Sequence, residues 1–361
     1  MRRATRWIAA AGVCVLSAAP IAAPPATAGG AVQVRTVKGG LNGPSGFTVD
    51  PSGDRIWFLE RSTGEIRTLD LDTKRTRRWF HIRGVNGSGE RGALGIALHP
   101  RFPARPFVYV YVTRRHDGKL RNQIVRIRDA GGRGRSMKIL MSSPASSSPY
   151  HNGGRILFGP DDKLYAIVGE GHAPSNSQDL TRNLRGKILR LDTDGTAARG
   201  NPDGKVWAYG IRNSFGFTFD PQNGRLWETE NGPQCNDEIN RIRAGHNHGW
   251  GPNWTCSGSA PANTNNSGPR PRLPRWYFAS PIAITGAAFC EGCGIAGLEG
   301  ELVFGNVNDG TIRRASLSGD RKSISSVSSL IDGGAVHSME VAPNGRIYFS
   351  TPSGIFRLAP A

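Results

Sequence analysis

The chain has 361 residues, 37% of them hydrophobic, with 48 Gly, 24 Pro and a formal charge of +18. That length and apolar content exclude a disordered chain and allow one large domain with a sizeable core. Glycine and proline at this density, placed between short apolar runs, count against a helical fold and favour many strands joined by tight turns.

In chain order, Met1 to Ala28 forms a unit of its own. Arg2, Arg3 and Arg6 precede the apolar run Trp7 to Ala23, and Ala26-Thr27-Ala28 supplies a small-residue cleavage site. The expectation is a secretory signal peptide over residues 1–28 and a single mature domain over 29–361. Cys14 follows Val13 rather than a small residue, so it is expected to leave with the leader rather than carry a lipid. No later stretch approaches the roughly 20 apolar residues of a membrane helix, and the protein reads as secreted, without a membrane span. Loss of the three leader arginines takes the charge from +18 to +15. Such a charge can draw the protein to acidic polymers outside the cell. It is spread without a long block or an aromatic-interleaved basic stripe, so it does not read as a nucleic-acid interface.

The mature chain repeats itself. One unit recurs: an apolar alternating strand, a Pro-x-Gly or similar turn, an aliphatic-aromatic strand, and a third strand ending in Arg-Leu or Arg-Ile. The six copies run Gly46–Leu69, Gly95–Ile127, Gly154–Leu191, Gly216–Ile242, Thr285–Arg314 and His337–Leu358. With roughly 50 to 70 residues from the start of one copy to the start of the next, each unit has the size of a four-stranded propeller blade and must pack on its neighbours to bury both faces. The fold class is therefore all-β, a six-bladed β-propeller, with Ala31 to Val37 as a strand that closes the ring by pairing into the last or the first blade. The longest irregular piece, Gly251 to Pro281, carries Trp254, Trp276 and Tyr277. Its aromatics suggest a flap over the central cavity with Trp276 on the substrate, the alternative being surface coil.

Export changes how Cys235, Cys256, Cys290 and Cys293 are read, because thiols in an oxidising compartment pair. Of three possible pairings, Cys235 with Cys256 and Cys290 with Cys293 is the favoured one; a zinc site from all four is the alternative.

The stretch His151 to Glu170 is the centre of the functional reading. A histidine on a glycine-rich turn is followed by an alternating strand, a Gly-Pro-Asp-Asp turn, and a second strand ending on a carboxylate. This brings imidazole and carboxylate within reach, as a general base and its orienting acid require; the bland alternative is a satisfied loop histidine. Gly89 to Gly95, Tyr209 to Gly216 and Glu230 to Asn240 fall in the same phase of the repeat, so all should converge on one face around the axis.

These segments carry a resemblance to the soluble pyrroloquinoline quinone (PQQ) dependent glucose/sorbosone dehydrogenases, or aldose sugar dehydrogenases. It rests on Gly89 to Pro100 (GERGALGIALHP), His151 to Arg155 (HNGGR), Gly186 to Asp192 (GKILRLD), Gly210 to Asn213 (GIRN), Glu230 to Pro233 (ENGP), Asp237 to Asn240 (DEIN) and Asn247 to Trp250 (NHGW). The resemblance implies His151 as the base for the anomeric hydroxyl with Glu170, an Asp in the family, orienting it. It implies Arg212 as the cation facing the quinone, and Arg212, Asn213, Asn231, Gly232 and Pro233 as cofactor contacts. Carbonyls of Gly232 and Pro233 would bind Ca²⁺, and Glu90 and Gln178 would contact a sugar or oligosaccharide. An extracellular electron acceptor is implied as partner. Three cations that grip PQQ in the family fall here on Asn308, Ala335 and His337, so cofactor affinity is expected to be weak and to depend on Ca²⁺. A carbohydrate- or protein-binding propeller without redox chemistry, and a Ca²⁺-dependent propeller hydrolase or lactonase, are the alternatives.

Overall fold

The computed structural model describes residues 32–181 and 183–361; the leader expected over Met1 to Ala28, with Cys14, lies outside the described residues. Six four-stranded antiparallel sheets follow one another around an axis. The first strand, β1 (Val32–Gly39), stands apart in sequence from the sheet that it joins. Blade 1 is β2 (Pro44–Val49), β3 (Arg55–Glu60), β4 (Glu65–Asp70) and β5 (Thr76–His81); blade 2 is β6 (Ala93–Leu98), β7 (Phe107–His116), β8 (Lys119–Asp129) and β9 (Gly134–Pro144). Blade 3 is β10 (Ile156–Phe158), β11 (Leu164–Val168), β12 (Lys187–Leu191) and β13 (Val206–Tyr209); blade 4 is β14 (Ser214–Phe219), β15 (Leu226–Glu230), β16 (Asp237–Ile242) and β17 (Trp276–Phe278). Blade 5 is β18 (Ile284–Phe289), β19 (Leu302–Asn306), β20 (Thr311–Leu317) and β21 (Ile324–Asp332). Blade 6 contributes only three consecutive strands, β22 (Ser338–Val341), β23 (Ile347–Thr351) and β24 (Gly354–Pro360), and takes β1 as its fourth.

The ring thus closes through the last blade, with Val32 opposite Pro360 and Arg35 opposite Arg357. The middle strands explain why the blades stack: β11, β15, β19 and β23 are buried at every residue, as strands covered on both faces must be. The apolar core is accordingly a set of seams between blades. Trp57 and Trp79 of blade 1 pack with Val110 and Val125 of blade 2, while Tyr109 and Tyr111 pack with Leu164 and Leu189 of blade 3.

Both disulfides form as Cys235–Cys256 and Cys290–Cys293. The all-cysteine zinc alternative is set aside, since a sulfur shared in a disulfide is no thiolate ligand. Cys235–Cys256 ties the turn after Glu230 to the long segment that follows Trp250. Cross-linking residues separated by 21 positions limits the unfolded chain by about 3 kcal/mol on the loop-entropy account. Reduction is therefore expected to raise amide exchange over residues 232–267 before the propeller unfolds. Hydrogen-exchange mass spectrometry checks this, and uniform exchange across the ring at the same reductant concentration would contradict it.

Candidate active site at one end of the central channel

The innermost strands β2, β6, β10, β14, β18 and β22 surround a channel that Arg155 divides in two. Its Nε donates to the Phe215 carbonyl (2.6 Å), Nη1 to that of Leu94 (2.8 Å), and Nη2 to those of Ser45 (3.0 Å) and His337. One guanidinium on blade 3 thereby holds carbonyls of blades 1, 2, 4 and 6. Burial pushes its pKa down to about 10, which leaves it cationic at neutral pH. On one side is a chamber of about 360 Å³ lined by Phe47, Phe217, Phe289 and Glu340. On the other is a chamber of about 280 Å³ lined by Arg61, Glu90, Phe215, Asn231, Val307 and His337.

His151 stands beside this second chamber. Its backbone is left-handed at φ 59°, a conformation that costs a non-glycine residue free energy and persists only where its surroundings enforce it. Those surroundings can be named. Buried Asn152 accepts from Tyr111 Oη on its carbonyl (2.8 Å) and from Asn122 Nδ2 on its side chain (3.1 Å), while its amide donates to the Tyr150 carbonyl. Gly153 (φ +67°) lies so close to β11 that a Cβ would meet Gly169 N at 2.5 Å. The loop has one place to go.

The His151 Nδ1 bonds Glu170 Oε1, and Glu170 Oε2 accepts from the Ala173 amide. The longer Glu170 side chain reaches the ring in spite of its extra methylene. Glu170 is 1% exposed at its side chain and His151 12%, so the carboxylate is enclosed and the ring's Nε2 is left for a ligand. Glu90 Oε2 accepts from the His151 backbone N–H (2.8 Å) and from Asn213 Nδ2 (3.0 Å), joining three of the predicted residues. Arg212 donates from Nη1 to the Asn231 carbonyl (2.7 Å), lies 5.2 Å from the Trp250 ring, and carries its own carbonyl to the Glu170 N–H (2.8 Å). Burial lowers the Arg212 pKa, opposed by Glu170, Glu230, Glu90 and Asp237.

Gly232 and Pro233 line a small adjoining pocket with Arg212, Glu230, Asn231 and Glu238. Gly232 packs against the turn so tightly that a Cβ would meet the Cys235 carbonyl at 1.9 Å. Behind it, Glu228, Glu230 and Glu238 lie buried around Asn240 Nδ2 at 3.2 to 3.5 Å, and burial raises all three pKa values. Carboxylates and carbonyls are the donors that a hard cation takes. Two atoms further suit a polar cofactor: Arg212 Nε and Asn213 Oδ1 are buried without a partner among the described residues, at a cost that a ligand would relieve. The residues present fit both groups.

Two predicted contacts lie elsewhere. Trp276 does not touch the channel: it is on β17, the outermost strand of blade 4, and packs with Ile239 and Phe304 in the seam with blade 5. Gln178 spends its amide nitrogen on Asn247 Oδ1 (2.9 Å) and the Trp250 carbonyl (2.6 Å), within the scaffold. The segment 251–281 is accordingly no free flap, since its end is strand β17 and Ser267 and Asn265 bond back to Asn247 and His248. It approaches the site through Trp254, stacked on Trp250 at 5.3 Å, and through Thr264 and Asn265, which line the small pocket beside Gly232.

Of the three positions that carry cations in the resembling family, Asn308 bonds the Pro281 carbonyl (3.2 Å) and is exposed. Ala335 brings no charge. His337 is held neutral, its pKa pushed down to about 4 by burial and then by Arg155 and Arg61. A cation that sequence reasoning missed lines the chamber instead. Arg61 follows β3 as Asn231 follows β15 and Val307 follows β19, and all three line it. That shared phase was the available signal.

The glucose/sorbosone dehydrogenase family model matches residues 41–357. The chain belongs to that family. Quinoprotein glucose dehydrogenase B of Acinetobacter calcoaceticus is 30% identical over 251 residues, covering 60% of this chain and 52% of that protein. The aldose sugar dehydrogenase YliI of Escherichia coli is 25% identical over 94% of this chain and 93% of its own. Among solved structures, the PQQ-bound form of an aldose sugar dehydrogenase from Streptomyces coelicolor aligns with a TM-score of 0.78 at 30% identity, covering 93% of this chain and 99% of that one. This family member is therefore an oxidoreductase of the sugar dehydrogenase type, built as a six-bladed propeller.

Proposed function

We propose that the protein is an exported quinoprotein that oxidises the anomeric carbon of an aldose to the lactone. The reading is carried by the His151–Glu170 pair beside a chamber shared with Glu90 and Asn231, in a chain of this family. With Glu170 on Nδ1, the ring is fixed in the tautomer whose Nε2 accepts the proton of the anomeric hydroxyl. Glu90 holds the His151 backbone and Asn213 in register, and Arg212 offers a buried positive charge where negative charge develops. PQQ, when bound, would supply a two-electron acceptor for the sugar's oxidation, and Ca²⁺ would supply a Lewis acid beside it. Arg212, Asn213 and Asn231 would hold the cofactor, with carbonyls of Gly232 and Pro233 on Ca²⁺ and Arg61 as a cation for its carboxylates. Export is supported by the two disulfides, and no helix of the described residues is long and apolar enough to cross a membrane.

The test is reconstitution with PQQ and Ca²⁺ followed by sugar-dependent dye reduction, together with a fluorescence titration of PQQ. Binding is expected to require Ca²⁺, and His337, neutral between about pH 5.5 and 8, adds no charge to it in that window. Arg61→Gln should weaken it by about tenfold, the worth of one charge-assisted hydrogen bond. Tight binding without Ca²⁺ would show that the chain's own cations suffice. Absence of both binding and sugar oxidation would favour a carbohydrate-binding propeller without redox chemistry.

A further inference from the structure

Far from the channel, on the outer rim between blades 1 and 2, lies a cleft of about 580 Å³. Arg55, Arg75, Arg77, Arg78 and Arg133 line it, from three separate stretches of chain, and all five are exposed. The acids nearby are committed. Asp70 accepts from Thr73 N (2.8 Å) and Thr73 Oγ1 (2.8 Å) in its own turn, Asp129 accepts from Trp79 Nε1 (2.7 Å), and Glu65 pairs with Arg78 (2.8 Å). Arg55 stands opposite Asp70, which also lines the cleft, and three guanidinium groups, of Arg75, Arg77 and Arg133, face it without an ion-pair partner among the described residues. A fully solvated arginine surface would need no more explanation than composition, but the floor of this cleft holds a second observation. Trp57 lines it at 1% exposure, and its indole N–H is buried with no hydrogen-bond partner among the described residues. An orphan donor beneath a ring of cations is a site for an oxyanion.

We propose that this cleft binds a polymer of closely spaced phosphate groups. Guanidinium forks match the two non-bridging oxygens of a phosphate unit, and a phosphate polymer carries one charge on every unit of a short backbone, whereas a polyuronate spaces its carboxylates a whole sugar ring apart. Nucleic acid fits less well. Trp57 and Trp79 are buried at 1% and 4% exposure, so neither presents a face on which a base could stack. The cleft lies outside the channel, so occupancy leaves the dehydrogenase site untouched and would anchor the protein to a phosphate-rich matrix.

The experiment is binding of the full chain to fluorescently labelled long-chain inorganic polyphosphate across a salt series. The triple variant Arg75→Glu, Arg77→Glu, Arg133→Glu is set against a charge-matched control, Arg101→Glu, Arg199→Glu, Arg346→Glu, on exposed arginines elsewhere. The cleft variant should bind at least about tenfold more weakly, with a log–log salt slope shallower by about 2 to 3, while the control changes by less than about threefold. Unchanged thermal unfolding and sugar oxidation exclude misfolding; should the triple variant not fold, the Gln replacements at the same positions replace it. Equal losses in cleft and control variants would reduce the effect to net charge and overturn the site. Tighter binding of polygalacturonate, or of single-stranded DNA of equal charge, would overturn the assignment to phosphate polymer.

Discussion

His151→Ala is expected to lower turnover by roughly 10²-fold or more, the usual contribution of a positioned general base, with thermal unfolding unchanged. The side chain makes its bond to Glu170 at the edge of the chamber, while the fold of its loop depends on the buried Asn152 network, which the substitution leaves alone. Steady-state dye reduction at saturating PQQ and Ca²⁺ reads the effect in kcat. Near-normal turnover with a folded variant would remove His151 from the chemistry and leave the Glu170 contact as a structural one.

Arg155→Ala should act on the ring itself. Its guanidinium is the donor to carbonyls of Ser45, Leu94, Phe215 and His337, on four different blades. Hydrogen bonds to a charged group contribute about 1.5 to 3 kcal/mol each. The opened channel admits water that satisfies part of the loss, so a net destabilisation of about 3 kcal/mol is expected. Guanidinium chloride unfolding measures it as a shift in midpoint. Arg155→Lys keeps a cation but lacks the planar fork needed for several carbonyls at once, and should fall between. If Arg155→Ala unfolds like the wild type, the blades hold one another through their seams alone.

The propeller was legible because its signal repeats: alternation, turn and Arg-Leu strand endings recur six times, and β1 had to pair with one end of the ring. That the segments holding His151, Glu90, Arg212 and Asn213 converge was legible from their shared phase in that repeat, whereas the roles given to the single residues came from the family resemblance. Trp276 was misplaced for the opposite reason. It lies in the longest irregular segment, where no periodicity says that the chain returns to form β17 on the blade's outer edge. Arg61 was overlooked although its phase equals that of Asn231, since an isolated arginine in a basic chain draws no notice. The role of Arg155 could not be read at all. Its partners are main-chain oxygens as far as 182 positions away, and carbonyls have no sequence identity.

The pairing of β1 with β24 fixes when the chamber can exist. Val32 and Pro360 stand at opposite ends of the described chain and face one another across the same sheet, so the final hoop is tied only after the last blade has been made. Contacts of such long sequence separation form slowly, because loop-closure entropy is lost before they stabilise anything. The walls that carry Arg61, Glu90, Gly153 and Asn231 come from several blades, and half a chain therefore has no half of the site. A polypeptide crossing a membrane in extended form would arrive on the far side with nothing yet able to grip a cofactor, and loading would fall to the compartment of arrival.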